Sequence, residues 1–155
     1  MYELISGNII KFHKKTIGQG LLSNGKLYYD GYPNLASPME KNMASLFTKI
    51  INRDIPATII YEDDKVVAFD DVAPQAPVHK LIVPRKEIAT LNDLSVEDVS
   101  IVGHMIFVAK QLASQLQIAE AGYRLVFNCN DDGLQTVPHI HLHLLGGRRL
   151  TWPPG

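Results

Sequence analysis

Between Ala44 and Leu145 the apolar residues recur with two different periods, and each switch between them marks an element. Leu46, Phe47, Ile50 and Ile51 follow helical spacing, which predicts a short helix over Ala44–Asn52 ended by Pro56. The β-rich runs Thr58–Tyr61 and Val66–Phe69 flank Glu62-Asp63-Asp64-Lys65, the composition of a hairpin. Asp71–Pro77 is a proline-bearing loop and Lys80–Pro84 a third strand. Helical spacing returns over Ser95–Gln117, where Val102, Met105, Ala109, Leu112 and Leu116 share one face and Ser95 with Asp98 makes a capping-box start. Tyr123–Asn128 reads as a fourth strand and His139–Leu145 as a fifth, with turn chemistry at Asn130-Asp131-Asp132-Gly133 between them. Five strands with one short and one long helix predict an α+β fold on a mainly antiparallel sheet, because the short links inside the first and last strand pairs suit hairpins.

The long helix has a second apolar stripe. Ile101, Phe107 and Val108 lie off the first face, so the helix needs a second partner. Deep burial in its own domain and a homodimer interface both answer that need. The first 38 residues differ from the rest, with glycines at 7, 18, 20, 25 and 31, the basic patch Lys11, His13, Lys14, Lys15, and little periodicity. A short strand is suggested only near residues 25–31. Residues 1–42 are therefore expected to be a loosely structured or accessory extension, its basic patch a solvated face, and residues 43–155 the main domain.

Composition narrows the function classes. The hydrophobic fraction of 46% and charged fraction of 20% suit a globular domain, and a net charge of −1 gives no support to general nucleic-acid or membrane-surface binding. The single cysteine, Cys129, excludes an internal disulfide and fits a reducing compartment. No apolar stretch approaches the roughly 20 residues that span a bilayer, and the N-terminus lacks the apolar region of a signal peptide. A cytoplasmic location is the expectation.

Three of the six histidines, His139, His141 and His143, alternate with Ile140, Leu142 and Leu144. On a half-buried strand they would share one face at intervals of about 7 Å, with the aliphatic residues in a core. A metal site is one reading, although three imidazoles along one flat strand converge poorly on a tetrahedral ion. The second is nucleophilic catalysis at phosphorus by one imidazole, with a neighbour donating to the developing charge or the leaving group. The bland alternative, histidines on an exposed sheet face, explains poorly why they stand beside a Gly-Gly turn.

His139 through Leu145 matches the pattern His-φ-His-φ-His-φ-φ, with φ apolar, and in this the chain resembles the histidine-triad (HIT) proteins. The resemblance runs from about Ala44 to Gly155. It includes the loop Asp71-Val72-Ala73-Pro74-Gln75-Ala76-Pro77-Val78-His79 and the strand Gly122–Asn128. Gly146-Gly147-Arg148 and Trp152-Pro153-Pro154-Gly155 are similar to the Hint branch, the purine nucleoside phosphoramidases. The resemblance implies a HIT-like fold and cleavage of the P–N bond of purine nucleoside 5′-phosphoramidates through a nucleotidyl-histidine, releasing a nucleoside monophosphate. Dinucleoside polyphosphate hydrolysis, nucleotidyl transfer and a nucleotide-binding interaction module stand as alternatives.

Carried over position by position, the resemblance makes His141 the nucleophile, His143 the contact to phosphate and leaving group, and His139 the residue that orients His141 through its carbonyl. His79 joins the histidine cluster, and Gln135 with Thr136 lies near the phosphate. Asn128 borders phosphate and ribose, and Asp71 accepts from the ribose hydroxyls. Phe47, Ile50, Ile55, Phe69 and Val72 line the purine slot, although the same residues would serve a core. It also implies a homodimer, with Trp152 near the partner's pocket. The chain departs from the pattern at Leu134, where glycine is usual, and at Pro138, where an aromatic is common. Near Phe47-Thr48 it lacks the cysteine that some members use for zinc, so no metal and no cofactor are expected. The extension has no counterpart in the family core, and Met39 and Met43 offer alternative starts.

Overall fold

The computed structural model describes residues 44–153 in full and, before them, the backbone of four strands. The chain divides into two units, Met1–Met43 and Ala44–Gly155. In the first, β1 (Leu4–Ile5), β2 (Ile9–Ile10), β3 (Gly20–Ser23) and β4 (Lys26–Tyr29) pair in sequence order as an antiparallel meander. The region read as a loose extension thus carries four paired strands, and only β4 coincides with the strand suggested near residues 25–31. Lys11, His13, Lys14, Lys15, Met39, Met43, Pro154 and Gly155 lie outside the described residues.

The second unit holds α1 (Leu46–Ile51), β5 (Ile59–Glu62), β6 (Val66–Asp70), β7 (Val78–Pro84), α2 (Val99–Gln115), β8 (Arg124–Phe127) and β9 (Leu142–Gly146). The strands form one sheet in the order β5-β6-β7-β9-β8, every neighbouring pair antiparallel. Alternation along the strands divides the core in two. Val66, Ala68, Ile82, Leu142 and Leu144 face the same side and pack with Met105, Val108, Ala109 and Leu112 of α2. Val67, Phe69, Leu81 and Val83 face the other side and pack with Phe47 and Ile50 of α1. The predicted stripe of α2 is the buried one at Met105, Ala109 and Leu112. Of the expected second stripe Val108 is buried in the same core, Ile101 is half-buried and only Phe107 is exposed, together with Val99 and Ile106.

The helix ends are closed as the residues allow. Ser45 caps α1, its Oγ accepting from the Thr48 N–H at 3.0 Å. The Ser95–Asp98 box forms, but it closes a 3₁₀ turn over Val96–Asp98, and α2 begins only at Val99. At the far end Gln117 sits at φ 57°, with Gln117 N–H bonded to Ser114 O and Ile118 N–H to Ala113 O, the double closure of a Schellman motif.

The fifth strand is shorter than the histidine alternation predicts. Ile82 pairs with Leu142, which would place Pro84 opposite Ile140. Pro84 has no N–H to continue the ladder. Its carbonyl accepts from the ring of His139, and the Ile140 N–H turns instead to Ile88 O at 2.7 Å. The ladder ends there, so His139 and His141 precede β9 and only His143 lies on it.

Candidate active site

An open cleft of about 730 Å³ lies on the α1 side of the sheet. Leu46, Phe47 and Ile50 reach it from α1, Ile55 and Pro56 from the following loop, Phe69 and Leu81 from the sheet, and Thr136 and Val137 from the segment before the histidines. Its polar end carries Asp71, His141 and His143. Val72, fully exposed, stands at the rim. A cavity of this size with apolar walls and polar groups at one end is suited to a flat aromatic ligand carrying a polar tail.

Hydrogen bonds fix the tautomer of each imidazole. His139 is fully buried; its Nε2–H can only donate to Pro84 O at 2.8 Å, so its Nδ1 accepts from Ser45 Oγ at 2.7 Å. The His139 carbonyl in turn accepts from His141 Nδ1–H at 2.8 Å, which leaves a lone pair on His141 Nε2. A second chain starts at the Gln75 N–H, which donates to His79 Nδ1 at 3.1 Å. His79 Nε2–H then donates to His143 Nδ1 at 2.8 Å. The proton of His143 therefore sits on Nε2, and that atom is buried with no hydrogen-bond partner among the described residues. The His141 and His143 rings meet edge-on with centroids 4.9 Å apart. Phe47 supports His141 from below at 5.0 Å and packs on Phe69 at 5.6 Å.

Burial holds all four imidazoles below the usual histidine range. For His143, desolvation and the neighbouring His141 and His79 bring the pKa to about 4, against a partial offset from Asp71. For His141 desolvation dominates, partly countered by its bond to the His139 carbonyl and by Asp71. His79 and His139 are lowered by desolvation as well. At neutral pH the site therefore presents one free imidazole lone pair beside one orphaned imidazole N–H.

Asp71, His79 and His143 bring ligand atoms within 4.8 Å of one another, and a metal is the obvious question. Coordination would need lone pairs on both His79 Nε2 and His143 Nδ1. It would move the His79 proton to Nδ1, where it would face the Gln75 N–H that now donates there. Two donors would then oppose each other, so this cluster suits a proton in the bridge better than a cation.

The other expected residues fall into two sets. Phe47, Ile50, Ile55, Phe69, Val72, Asp71, Thr136, His141 and His143 line the cleft, with His79 and His139 directly behind. Gln135, Asn128 and Trp152 are not among the lining residues. Gln135 bonds the backbone instead, donating to Ala89 O and Val137 O and accepting from the Asn130 N–H. Asn128 reaches Leu134 O at 3.4 Å, and Trp152 is 84% exposed. Sequence reasoning missed Leu46, Pro56, Leu81 and Val137 as cleft walls, and missed Ser45 as the partner of His139. Nothing local to Ser45 points to a residue 94 positions away.

The antiparallel sheet, its long crossing helix and the imidazole row define a histidine-triad architecture. The chain belongs to the HIT family, whose HIT domain model matches residues 52–150. It is 55% identical over 106 residues to the purine nucleoside phosphoramidase of Escherichia coli, covering 68% of this chain and 89% of that protein. It is 52% identical over 111 residues to an uncharacterised HIT-like protein of Synechococcus elongatus, covering 72% of this chain and 96% of that one. A crystal structure of a HIT family hydrolase from Legionella pneumophila superposes with a TM-score of 0.71 at 53% identity, over 72% of this chain and all of the other. No helix among the described residues is long and apolar enough to cross a membrane.

Proposed function

We propose that the protein is a nucleotide hydrolase that cleaves the P–N bond of purine nucleoside 5′-phosphoramidates with His141 as nucleophile. The observation that carries this reading is the pairing of a free lone pair on His141 Nε2 with the orphaned, buried N–H of His143, at the polar end of an apolar cleft. A buried donor without a partner is costly, and a phosphoryl oxygen or departing nitrogen would satisfy it. The name of the E. coli relative, a purine nucleoside phosphoramidase, favours this leaving group over a polyphosphate.

In the first displacement the Nε2 lone pair of His141 forms a bond to the α-phosphorus. The P–N bond to the amine breaks and the departing nitrogen takes up a proton from solvent. His141 gains positive charge, which the His139 carbonyl stabilises through Nδ1–H. Water then attacks phosphorus and gives up a proton to solvent, the P–Nε2 bond breaks, and a nucleoside monophosphate leaves with His141 restored. His143 Nε2–H hydrogen-bonds the charge that develops in each step, and an anionic phosphoryl group against it raises the proton affinity that burial lowers. The purine lies between Phe47, Ile50, Ile55 and Phe69, with Asp71 at the ribose and the Thr136 hydroxyl on the leaving-group side.

The exposed apolar residues of α2, Val99, Ile106 and Phe107, favour a homodimer through that helix, and the family resemblance would put the exposed Trp152 near the other copy's cleft. The cytoplasm suits a free cysteine and substrates of this kind. The deciding experiment is turnover of a fluorogenic adenosine phosphoramidate by wild type and His141→Asn. Activity should fall at least 10³-fold, in line with loss of a covalent nucleophile. Near-full activity in the variant removes His141 from the attacking role, and light scattering at the mass of one chain refutes the dimer.

A further inference from the structure

The most buried imidazole of the row never reaches the cleft. Both ring nitrogens of His139 are committed elsewhere, Nε2–H to Pro84 O and Nδ1 to Ser45 Oγ. Its contribution to chemistry passes through its backbone carbonyl, which receives His141 Nδ1–H at 2.8 Å. Whatever holds the ring of His139 therefore holds the acceptor that sets the tautomer of His141.

The ring is held by a directional set of side chains. Glu87 is acceptor-only when ionised, and its Oε2 accepts from Thr48 Oγ1–H and from the Ser45 N–H at 3.2 Å. With the Thr48 proton given to that carboxylate, Thr48 Oγ1 presents only lone pairs to Ser45 Oγ, 3.0 Å away. The single proton of Ser45 Oγ then has two acceptors in reach. It goes to His139 Nδ1, which is nearer at 2.7 Å and has no other donor as close, while Ser45 Oγ accepts from the Thr48 N–H. Without the carboxylate, the Thr48 hydroxyl could itself donate to His139 Nδ1, 3.5 Å off, and compete with Ser45. Ser45 is 6% exposed and His139 fully buried, so no bulk water competes for this bond.

We propose that Ser45 is a positioning residue for the nucleophile: its hydroxyl anchors the His139 ring so that the His139 carbonyl holds His141 with Nε2 free, while Glu87 keeps the Thr48 proton away from that ring. This rests on His141 being the attacking group. The role differs from helix capping, which the same oxygen performs through a lone pair rather than through its proton. Glycine caps helices nearly as well as serine but has no hydroxyl, so Ser45→Gly separates the two functions. Thr48→Val keeps the cap and removes only the rival acceptor for the Ser45 proton, so it leaves the Ser45–His139 bond in place.

The test combines imidazole ¹⁵N spectra with steady-state kinetics on the fluorogenic phosphoramidate for Ser45→Gly, Ser45→Thr, Thr48→Val and Glu87→Gln. In Ser45→Gly, kcat is expected to fall at least 10-fold with KM changed less than threefold, and His141 to show a mixture of Nδ1–H and Nε2–H forms. Ser45→Thr should restore both readouts. Thr48→Val should lose less than Ser45→Gly and keep His141 in the Nδ1–H form, and Glu87→Gln, an exposed site where folding is safe, should lower kcat two- to fivefold. A folded Ser45→Gly protein with wild-type kcat and a single Nδ1–H tautomer at His141 overturns the proposal. If wild type turns over no phosphoramidate, the functional reading fails, while the tautomer of His141 in Ser45→Gly still decides the positioning role.

Discussion

Replacing His79 by alanine interrupts the hydrogen-bond chain that places the proton of His143 on its cleft-facing nitrogen. His79 Nε2–H donates to His143 Nδ1 at 2.8 Å, and the side chain is buried. Its removal leaves His143 Nδ1 without a donor, a penalty of about 1–3 kcal/mol for a buried polar atom. His143 escapes that penalty by moving its proton to Nδ1, toward the Asp71 carboxylate that shares the cluster. The cleft then meets a lone pair where it had a donor. The lost bond is worth about 1 kcal/mol net, so tautomer bias alone sets a floor of roughly fivefold on the loss of activity. Full inversion costs a transition-state donor, for which about 10²–10³-fold is typical. The expectation is therefore a fall in kcat/KM of about 10²-fold, with His79→Gln recovering part of it because an amide N–H can still donate to Nδ1. Kinetics on the phosphoramidate would be paired with ¹⁵N spectra of the imidazoles in wild type and variant. Folded His79→Ala with kcat/KM within twofold of wild type refutes the reasoning, and so does a wild-type His143 protonated at Nδ1.

Further outcomes follow from the same geometry. Phe47→Ala should cost about 3–5 kcal/mol in urea unfolding, as for other buried phenylalanines, and should lower kcat as well because the ring supports His141; a loss below 1 kcal/mol would contradict that packing. Burial depresses the imidazole pKa values, so between the unfolded value near 6.5 and the folded value of His143, about 4, the unfolded chain binds more protons. Stability should be fully present above pH 6.5 and decline as pH falls through 4, and the acid limb of kcat/KM should lie below pH 6.5. An acid limb at pH 7 or higher would show that the nucleophile is not desolvated. Leu134 stands at φ 57°, where a side chain costs roughly 1–2 kcal/mol, so Leu134→Gly should stabilise by about 0.5–1 kcal/mol after glycine's greater chain entropy is counted, and an unchanged or lower Tm would refute it. Gly133→Ala should act oppositely, because a Cβ there would meet Cys129 O at 2.3 Å, and a variant as stable as wild type would mean that this turn can move.

The elements that sequence predicted well are those whose signal is local. Met105, Ala109 and Leu112 mark the inner face of α2 by spacing alone, and Val66 to Phe69 alternates between two cores as a strand must. The cleft walls at Phe47, Ile50, Ile55 and Phe69 were reached only through the family pattern, since nothing local separates a pocket wall from a core residue. Gln135 shows the converse limit. Its place beside Thr136 suggested a phosphate contact, but the turn that begins at Asn130 presents backbone groups within its reach, and the amide bonds those. Ser45 and Glu87 were invisible for a different reason. Their joint meaning depends on His139 arriving beside Ser45 from a distant part of the chain, which only the folded sheet decides.

The histidine alternation itself was half right, and the wrong half is the informative one. Facing was correct, for Ile140, Leu142 and Leu144 enter the core under α2 while His139 and His141 pack beside Phe47. Continuity of the strand was wrong. A continuous strand would commit the His139 carbonyl and the neighbouring N–H groups to a ladder, and the three rings would be chemically equivalent. Pro84 breaks that equivalence, because with no N–H it cannot pair with Ile140 and its carbonyl is left to the His139 ring. Release of the segment from the ladder frees the His139 carbonyl to accept from His141 Nδ1–H. His143, still on the strand, lies within reach of His79 on the neighbouring β7 and receives its tautomer from there. A strand that stops at Leu142 therefore turns three like residues into an anchor, a lone pair and a donor.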